Sequence, residues 1–240
     1  MPTRELFRDD AYLQDCEATV IACDDRGIQL DQTVFYPLGG GQAGDAGTLS
    51  TANGRVIRIT DTRRDRSNEN PGGDLVHVAA DTAHGLQIGD RVVAHIDWER
   101  RYKHMRFHTA THLLCAVVPF PTNGCSITAD TARLDFATGA ELIDKAQVQQ
   151  TLDRLVNEDH AVRTIWITDE ELAARPDLVR TMSVKPPSGV GRIRLLEIEG
   201  VDLQACGGTH VSSVRELGKM IVAKVEKISA TSRRIRLAWG

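Results

Sequence analysis

Arg106-Phe107-His108-Thr109-Ala110-Thr111-His112-Leu113-Leu114 is the stretch from which the rest of the chain is read. It is free of Gly and Pro and reads as helix. His108 and His112 stand four residues apart, and on a helix residues at i and i+4 share a face. Two imidazoles so placed can hold one metal ion, as in helical His-x-x-x-His zinc sites. The pair alone is a weak signal, because histidines at that spacing also occur in ordinary helices.

A second stretch far downstream changes its weight. Cys206-Gly207-Gly208-Thr209-His210 offers a thiolate and an imidazole, again four apart, with two glycines that let the backbone turn tightly. Together the stretches supply three nitrogens and one sulfur, a borderline-soft donor set suited to zinc. One zinc per chain, held by His108, His112, Cys206 and His210, is the expectation.

His-Thr-Ala-Thr-His-Leu-Leu followed by Cys-Gly-Gly-Thr-His-Val resembles the editing domain of alanyl-tRNA synthetase and its free-standing relatives, the AlaX trans-editing proteins. The threonyl-tRNA synthetase editing domain carries a looser version. Phe35-Tyr36-Pro37-Leu38-Gly39-Gly40-Gly41-Gln42 is similar to the Gly-rich motif of the medium-length AlaX class. Position 38, commonly acidic in that family, is Leu38 here. The resemblance covers nearly the whole chain. It implies metal-assisted hydrolysis of the ester that joins a wrong amino acid, serine foremost and glycine in addition, to the 3′ acceptor end of tRNA(Ala). It also implies a cytoplasmic protein that needs no ATP.

Composition is compatible with this. A chain of 240 residues has room for one large domain or two small ones. Its 41% hydrophobic and 26% charged residues are those of an ordinary globular protein. A net charge of -4 gives no global attraction to RNA, so contacts with tRNA must come from local basic patches. No apolar run approaches the roughly 20 residues that span a bilayer. Five scattered cysteines argue against a disulfide framework, and Cys16, Cys23, Cys115 and Cys125 read as small buried hydrophobes.

The fold class expected is α+β. Residues 1 to 97 read as a small β-barrel, which the resemblance makes translation-factor-like. Strands are expected at Ala18–Cys23, Ile28–Leu30, Val34–Tyr36, Arg55–Thr60, Leu75–Val78 and Arg91–Ile96. Arg63 to Gly73 is polar and reads as a loop. Residues 98 to 240 read as the zinc-bearing editing domain, with a metal-bearing helix and a mixed or antiparallel sheet. There Asn123-Gly124-Cys125-Ser126 reads as a turn, Thr138-Gly139-Ala140-Glu141 as the capping box of a helix ending near Asp159, and Thr168-Asp169-Glu170-Glu171 as a second capping box.

Around the expected centre, several residues have two readings. Arg100, Arg101, Lys103 and Arg106 are either a solvated helix face or a phosphate-contacting patch, with Arg233, Arg234 and Arg236 as a second patch. Gly39, Gly40 and Gly41 are either a tight turn or a bare backbone brought close to the bound group. Thr109 takes the place that Glu holds in a His-Glu-x-x-His protease, which makes peptide hydrolysis improbable. Its hydroxyl either packs in the helix or reads the seryl hydroxyl. Gln42 and Asn123 are further pocket candidates, Asn123 through its resemblance to a Gln of the synthetase domain. Four protein ligands look closed, so hydrolysis requires a weak ligand or a fifth position. The alternative is a non-catalytic zinc module that binds tRNA or a synthetase.

Overall fold

The computed structural model describes residues 2–65, 73–179 and 192–240. In chain order the strands are β1 (Arg4–Glu5), β2 (Asp15–Asp24), β3 (Gly27–Leu30), β4 (Gln32–Thr33), β5 (Gly47–Thr51), β6 (Val56–Asp65), β7 (Asp74–Ala79) and β8 (Arg91–Ile96). Helix α1 (Trp98–Val117) follows, then β9 (Thr122–Ile127), β10 (Thr131–Ala137), α2 (Lys145–Glu158), β11 (Val162–Ile167) and α3 (Asp169–Ala173). The chain closes with β12 (Ile193–Ile198), β13 (Asp202–Ala205), β14 (Met220–Lys227) and β15 (Ser232–Trp239). This is a mixed α+β chain. Its residues cluster into two compact units, Met1–Gly39 with Ala43–Tyr102, and Gly40–Gln42 with Lys103–Gly240. The change of unit thus falls inside α1, and three residues of the Gly-rich stretch go with the second unit.

In the first unit six strands close a barrel in the order β2-β3-β7-β6-β5-β8. Period-2 alternation builds it: Ile57 and Ile59 of β6, and Val92, Ala94 and Ile96 of β8, point inward, while their neighbours face out. Ile28, Leu30 and Leu49 fill the same core. Each such side chain contributes about 1.5–3 kcal/mol by leaving water.

Two expectations need correction here. Arg63–Asp65 belong to β6, paired with β7 through Arg63↔Val76 and Asp65↔Asp74; the remainder of that expected loop, residues 66–72, lies outside the described residues. Val34–Tyr36 is not a strand. Its amides bond side chains instead of a ladder, Phe35 N–H donating to Thr33 Oγ1 (3.0 Å) and Tyr36 N–H to Asp45 Oδ2 (2.6 Å). Strand β5, which sequence reading passed over, closes the barrel between β6 and β8.

The second unit holds two antiparallel sheets, β14-β15-β10-β9 and β11-β12-β13. Asn123–Ser126 is strand, not turn. Gly124 is needed there because a Cβ would press on the Asp135 carboxylate of β10. Helix α2 starts at Lys145 rather than after Thr138, because Asp144 is a directly placed N-cap, accepting from Ala146 N–H (2.8 Å) and Gln147 N–H (3.2 Å). Leu142 is consequently left outside the helix and exposed. The Thr168 capping box of α3 forms as expected. Among the described residues, no helix is long and apolar enough to cross a membrane.

Candidate metal centre

Helix α1 is buried nearly all round: Met105, Phe107, Ala110, Leu113 and Leu114 are core, and so are His108, Thr109, Thr111 and His112 between them. It therefore presents His108 and His112 to protein and not to bulk water. The loop after β13 brings Cys206 and His210 to the same place. One ligand atom from each of the four residues lies within 4.8 Å of the others. The histidines are 5–6% exposed, and Cys206 is half-buried.

What fixes the rings decides what the cluster can do. His108 Nδ1 lies 2.7 Å from Gln42 Oε1, and His112 Nδ1 lies 3.0 Å from Asp202 Oδ2. An amide oxygen and a carboxylate only accept, so both Nδ1 atoms carry hydrogen and Nε2 is the atom each ring can offer to a metal. His210 Nδ1 is 3.1 Å from Thr109 Oγ1, a third oxygen on the outer side of a ring. The anchors are themselves held. Gln42 Nε2 donates to Thr209 Oγ1 (2.9 Å), Gln204 Nε2 to Asp202 Oδ2 (2.7 Å), and Val211 N–H to Thr109 Oγ1 (3.4 Å).

Inside the ring of histidines, Cys206 Sγ is 3.5 Å from His108 Nε2 and 3.2 Å from His210 Nε2. Burial would raise its pKa, but the three imidazoles hold the thiol well below its ordinary value, as thiolate. Burial would lower the pKa of His112, yet the Cys206 thiolate and Asp202 raise it to about 9. Burial drives His210 the other way, well below its ordinary value. Three ring nitrogens and a thiolate converge in this buried space, where the proton held on His112 or a metal ion can answer the sulfur's charge. Three ring nitrogens and a sulfur, with the outer nitrogens engaged, fit a metal ion.

Each neighbouring residue serves this arrangement. A Cβ on Gly208 would fall on the His108 ring, so the loop can pass only as glycine. Gly41 has φ 86°, and a Cβ there would strike Cys125 of β9. That close approach, with Ile127 N–H donating to Gly41 O (2.7 Å), docks Gly40–Gln42 on β9 and delivers Gln42 to His108. Arg194 braces the loop by donating to Cys206 O (2.9 Å) and Gly208 O (2.8 Å).

Several readings are corrected. Thr109 is fully buried, with its hydroxyl 3.1 Å from His210 Nδ1, where it can orient that ring. Gln42 likewise has both amide ends engaged. Gly41 packs on Cys125 of β9, while Gly39 is half-buried and Gly40 exposed. Asn123 is an exposed residue of β9 whose amide donates to Ser232 Oγ (3.4 Å). Arg101 is fully buried, paired with Asp45 and donating to Ala11 O (2.9 Å), which removes it from any phosphate patch. Arg106 donates to Leu217 O (2.6 Å) and lies over Trp239 (4.3 Å). In the second patch Arg234 pairs with Asp135 and Arg236 with Glu226, while Arg233 is buried. Asp202, Thr209 and Arg194 were missed. Polar residues at alternate positions, Asp202, Gln204 and Cys206, were the available signal, since a strand puts all three on one face.

The model of class II (A) tRNA synthetases matches residues 8–100, and that of the threonyl and alanyl tRNA synthetase second additional domain matches residues 193–236. The alanyl-tRNA editing protein AlaX-M of Methanosarcina acetivorans is 34% identical over 244 residues, covering 97% of each chain. That of Saccharolobus solfataricus is 32% identical over 242 residues, again 97% of each. The alanine–tRNA ligase of Ignicoccus hospitalis is 33% identical over 247 residues, which span all of this chain and 26% of the ligase. The chain belongs to the AlaX-M alanyl-tRNA editing protein family.

Proposed function

We propose that this protein is an aminoacyl-tRNA hydrolase that clears wrong amino acids from tRNA(Ala), seryl-tRNA(Ala) foremost and glycyl-tRNA(Ala) in addition. The observation that carries the reading is the inward convergence of three imidazoles on Cys206, each ring fixed from outside by Gln42, Asp202 or Thr109. His108, His112, Cys206 and His210 would hold one zinc ion. Bound there, zinc supplies a Lewis acid beside an ester that is already activated and needs little further help. The chain's own part is to orient and to shelter. Gln42 and Asp202 keep hydrogen on the outer nitrogens, which makes the inner ones better donors. The buried walls of α1 lower the local dielectric and strengthen every charge interaction at the ester. Ester hydrolysis needs no ATP, and a tRNA substrate is in keeping with a cytoplasmic protein.

The 3′ end of tRNA would enter at this centre, with Lys103 as a cationic neighbour in the chain. The test is deacylation of Ser-, Gly- and Ala-tRNA(Ala), with and without chelator. We expect the first two to be hydrolysed, the third to be spared, and chelator to stop the reaction. A metal-loaded protein that hydrolyses none of them would be a binding module instead.

A further inference from the structure

The sheet β11-β12-β13 has one wholly apolar cluster on one face and a mixed polar and apolar set on the other. On one, Ile193 and Leu195 pack with Leu178, Ile165 and Ile167 into an apolar cluster. The other carries the register pairs Val162↔Ile198↔Asp202, Thr164↔Leu196↔Gln204 and Trp166↔Arg194. Cys206 comes next opposite Arg194, donating its N–H to Arg194 O (3.2 Å). Trp166, Arg194 and Cys206 therefore form one row across three strands, on the face that presents Asp202 and Cys206 to the metal centre.

The inner members of this row are committed, Arg194 to the loop and to Thr164 Oγ1 (3.0 Å). Its outer member is not covered: Trp166 is 39% exposed. It lies outside the apolar cluster, and the exposed Arg192 holds its guanidinium carbon 5.3 Å from the ring centroid. An open indole with a guanidinium against it is a surface for a flat aromatic group that carries negative charge nearby. Trp166 lies two strands from Cys206, about 10 Å between backbones. That is within reach of the terminal or penultimate base of a strand whose 3′ ribose sits at the centre.

We propose that Trp166 and Arg192 form a stacking platform for an unpaired base at the 3′ end of the tRNA; this rests on the hydrolase reading above. Stacking tolerates any base, as a site reading the common 3′ end of tRNAs requires. Arg192 adds an attraction for the adjoining phosphate.

The test is equilibrium binding of the metal-loaded, full-length protein to an RNA minihelix with its single-stranded CCA overhang and to the same helix without it. Deacylation kinetics on seryl-tRNA(Ala) run alongside. The parent should prefer the overhang, and Trp166→Ala should lose about tenfold of that preference, within the range seen when a stacking aromatic is truncated. The loss should appear in KM with little change in kcat. Trp166→Phe should keep most of the preference, and Arg192→Ala should shallow the salt dependence by about one unit of slope. Metal content and circular dichroism show that the variants are folded. Equal overhang preference in the parent and Trp166→Ala, with deacylation intact in both, overturns the platform alone. A parent that neither hydrolyses aminoacyl-tRNA nor discriminates the overhang overturns the hydrolase reading as well. Loss of self-association in Trp166→Ala at unchanged RNA affinity would assign the face to a second copy of the chain and also sink the proposal.

Discussion

Each unit buries a polar centre, and the two are completed in different ways. In the barrel unit, Arg101 sits in the interior with Asp45, and its other donors reach the carbonyls of Ala11 and Val34. His77 is equally buried, donating from Nδ1 to Ile28 O (2.9 Å) with Thr33 Oγ1 at Nε2 (2.8 Å). Charge meets charge there, with both Arg101 bonds falling on Asp45 Oδ2 while Oδ1 stays buried without a hydrogen-bond partner. In the second unit three imidazoles and a thiolate turn their inner atoms toward one another, which is the donor set of a metal ion. Burial alone therefore does not mark a functional site. A buried polar cluster that pairs an ion with its counter-ion holds the fold, and one that gathers metal-type donors is a site for a ligand.

The sharpest way to break this comparison is to unbalance the barrel centre. Arg101→Met keeps the volume but strands the Asp45 carboxylate, and it should cost about 3–5 kcal/mol in denaturant unfolding. Metal bound per folded molecule should not change. A variant as stable as the parent would mean that the pair is not the closed structural unit described.

The next largest effect is a pH dependence. Burial lowers His77 from 6.5 to about 4, so the folded state holds it neutral where the unfolded chain binds a proton. Its stability is fully present above pH 6.5 and is lost as pH falls from 6.5 through 4, about 3 kcal/mol in all. Urea unfolding of the parent and His77→Gln across that window isolates the effect, because the carboxylates titrate in both. The difference between the two curves should shrink toward acid pH. Parallel curves would show that His77 takes up its proton without cost.

Unfixing one ring of the metal centre should act on affinity more than on fold. Asp202→Asn and Thr109→Val should each weaken metal binding about 10- to 100-fold in chelator competition. Because Thr109 orients His210, Thr109→Val should slow deacylation of seryl- and glycyl-tRNA(Ala) alike. A loss confined to the seryl substrate would return Thr109 to reading the serine hydroxyl.

The smallest effect is expected at the surface. Arg236 is engaged by Glu226 (2.6 Å), so Arg236→Ala should cost no more than about 1 kcal/mol. It should also leave the salt slope of RNA binding within about one unit of the parent's. A larger change in slope would show that the guanidinium leaves its carboxylate for a phosphate.

The two His-x-x-x-His and Cys-x-x-x-His spacings made the metal cluster legible, because spacing on a helix or in a tight loop is a local property. The barrel strands were legible for the same reason, as alternation in β6 and β8 needs no partner to be seen. What sequence reading lost was long-range. Whether Arg101 faces phosphate or Asp45 depends on a residue 56 positions away, and whether Thr109 faces a substrate or His210 on one 101 positions away. A charged residue reads as surface until its partner is located. The missed strand β9 failed through Asn123-Gly124, a dipeptide that signals a turn unless a neighbouring side chain, here Asp135, requires the glycine.

Gln42 has a consequence in time. It touches His108, 66 positions later, and Thr209, 167 positions later. At synthesis rates of roughly 5–20 residues per second, Gln42 waits roughly 8–33 s for Thr209 to be made. The metal centre is thus a late product of folding, and no N-terminal fragment that stops before Cys206 can form it. A chain abandoned part-way through synthesis would carry the two helical histidines without the thiolate that completes them, and the ribosome would release a protein unable to edit.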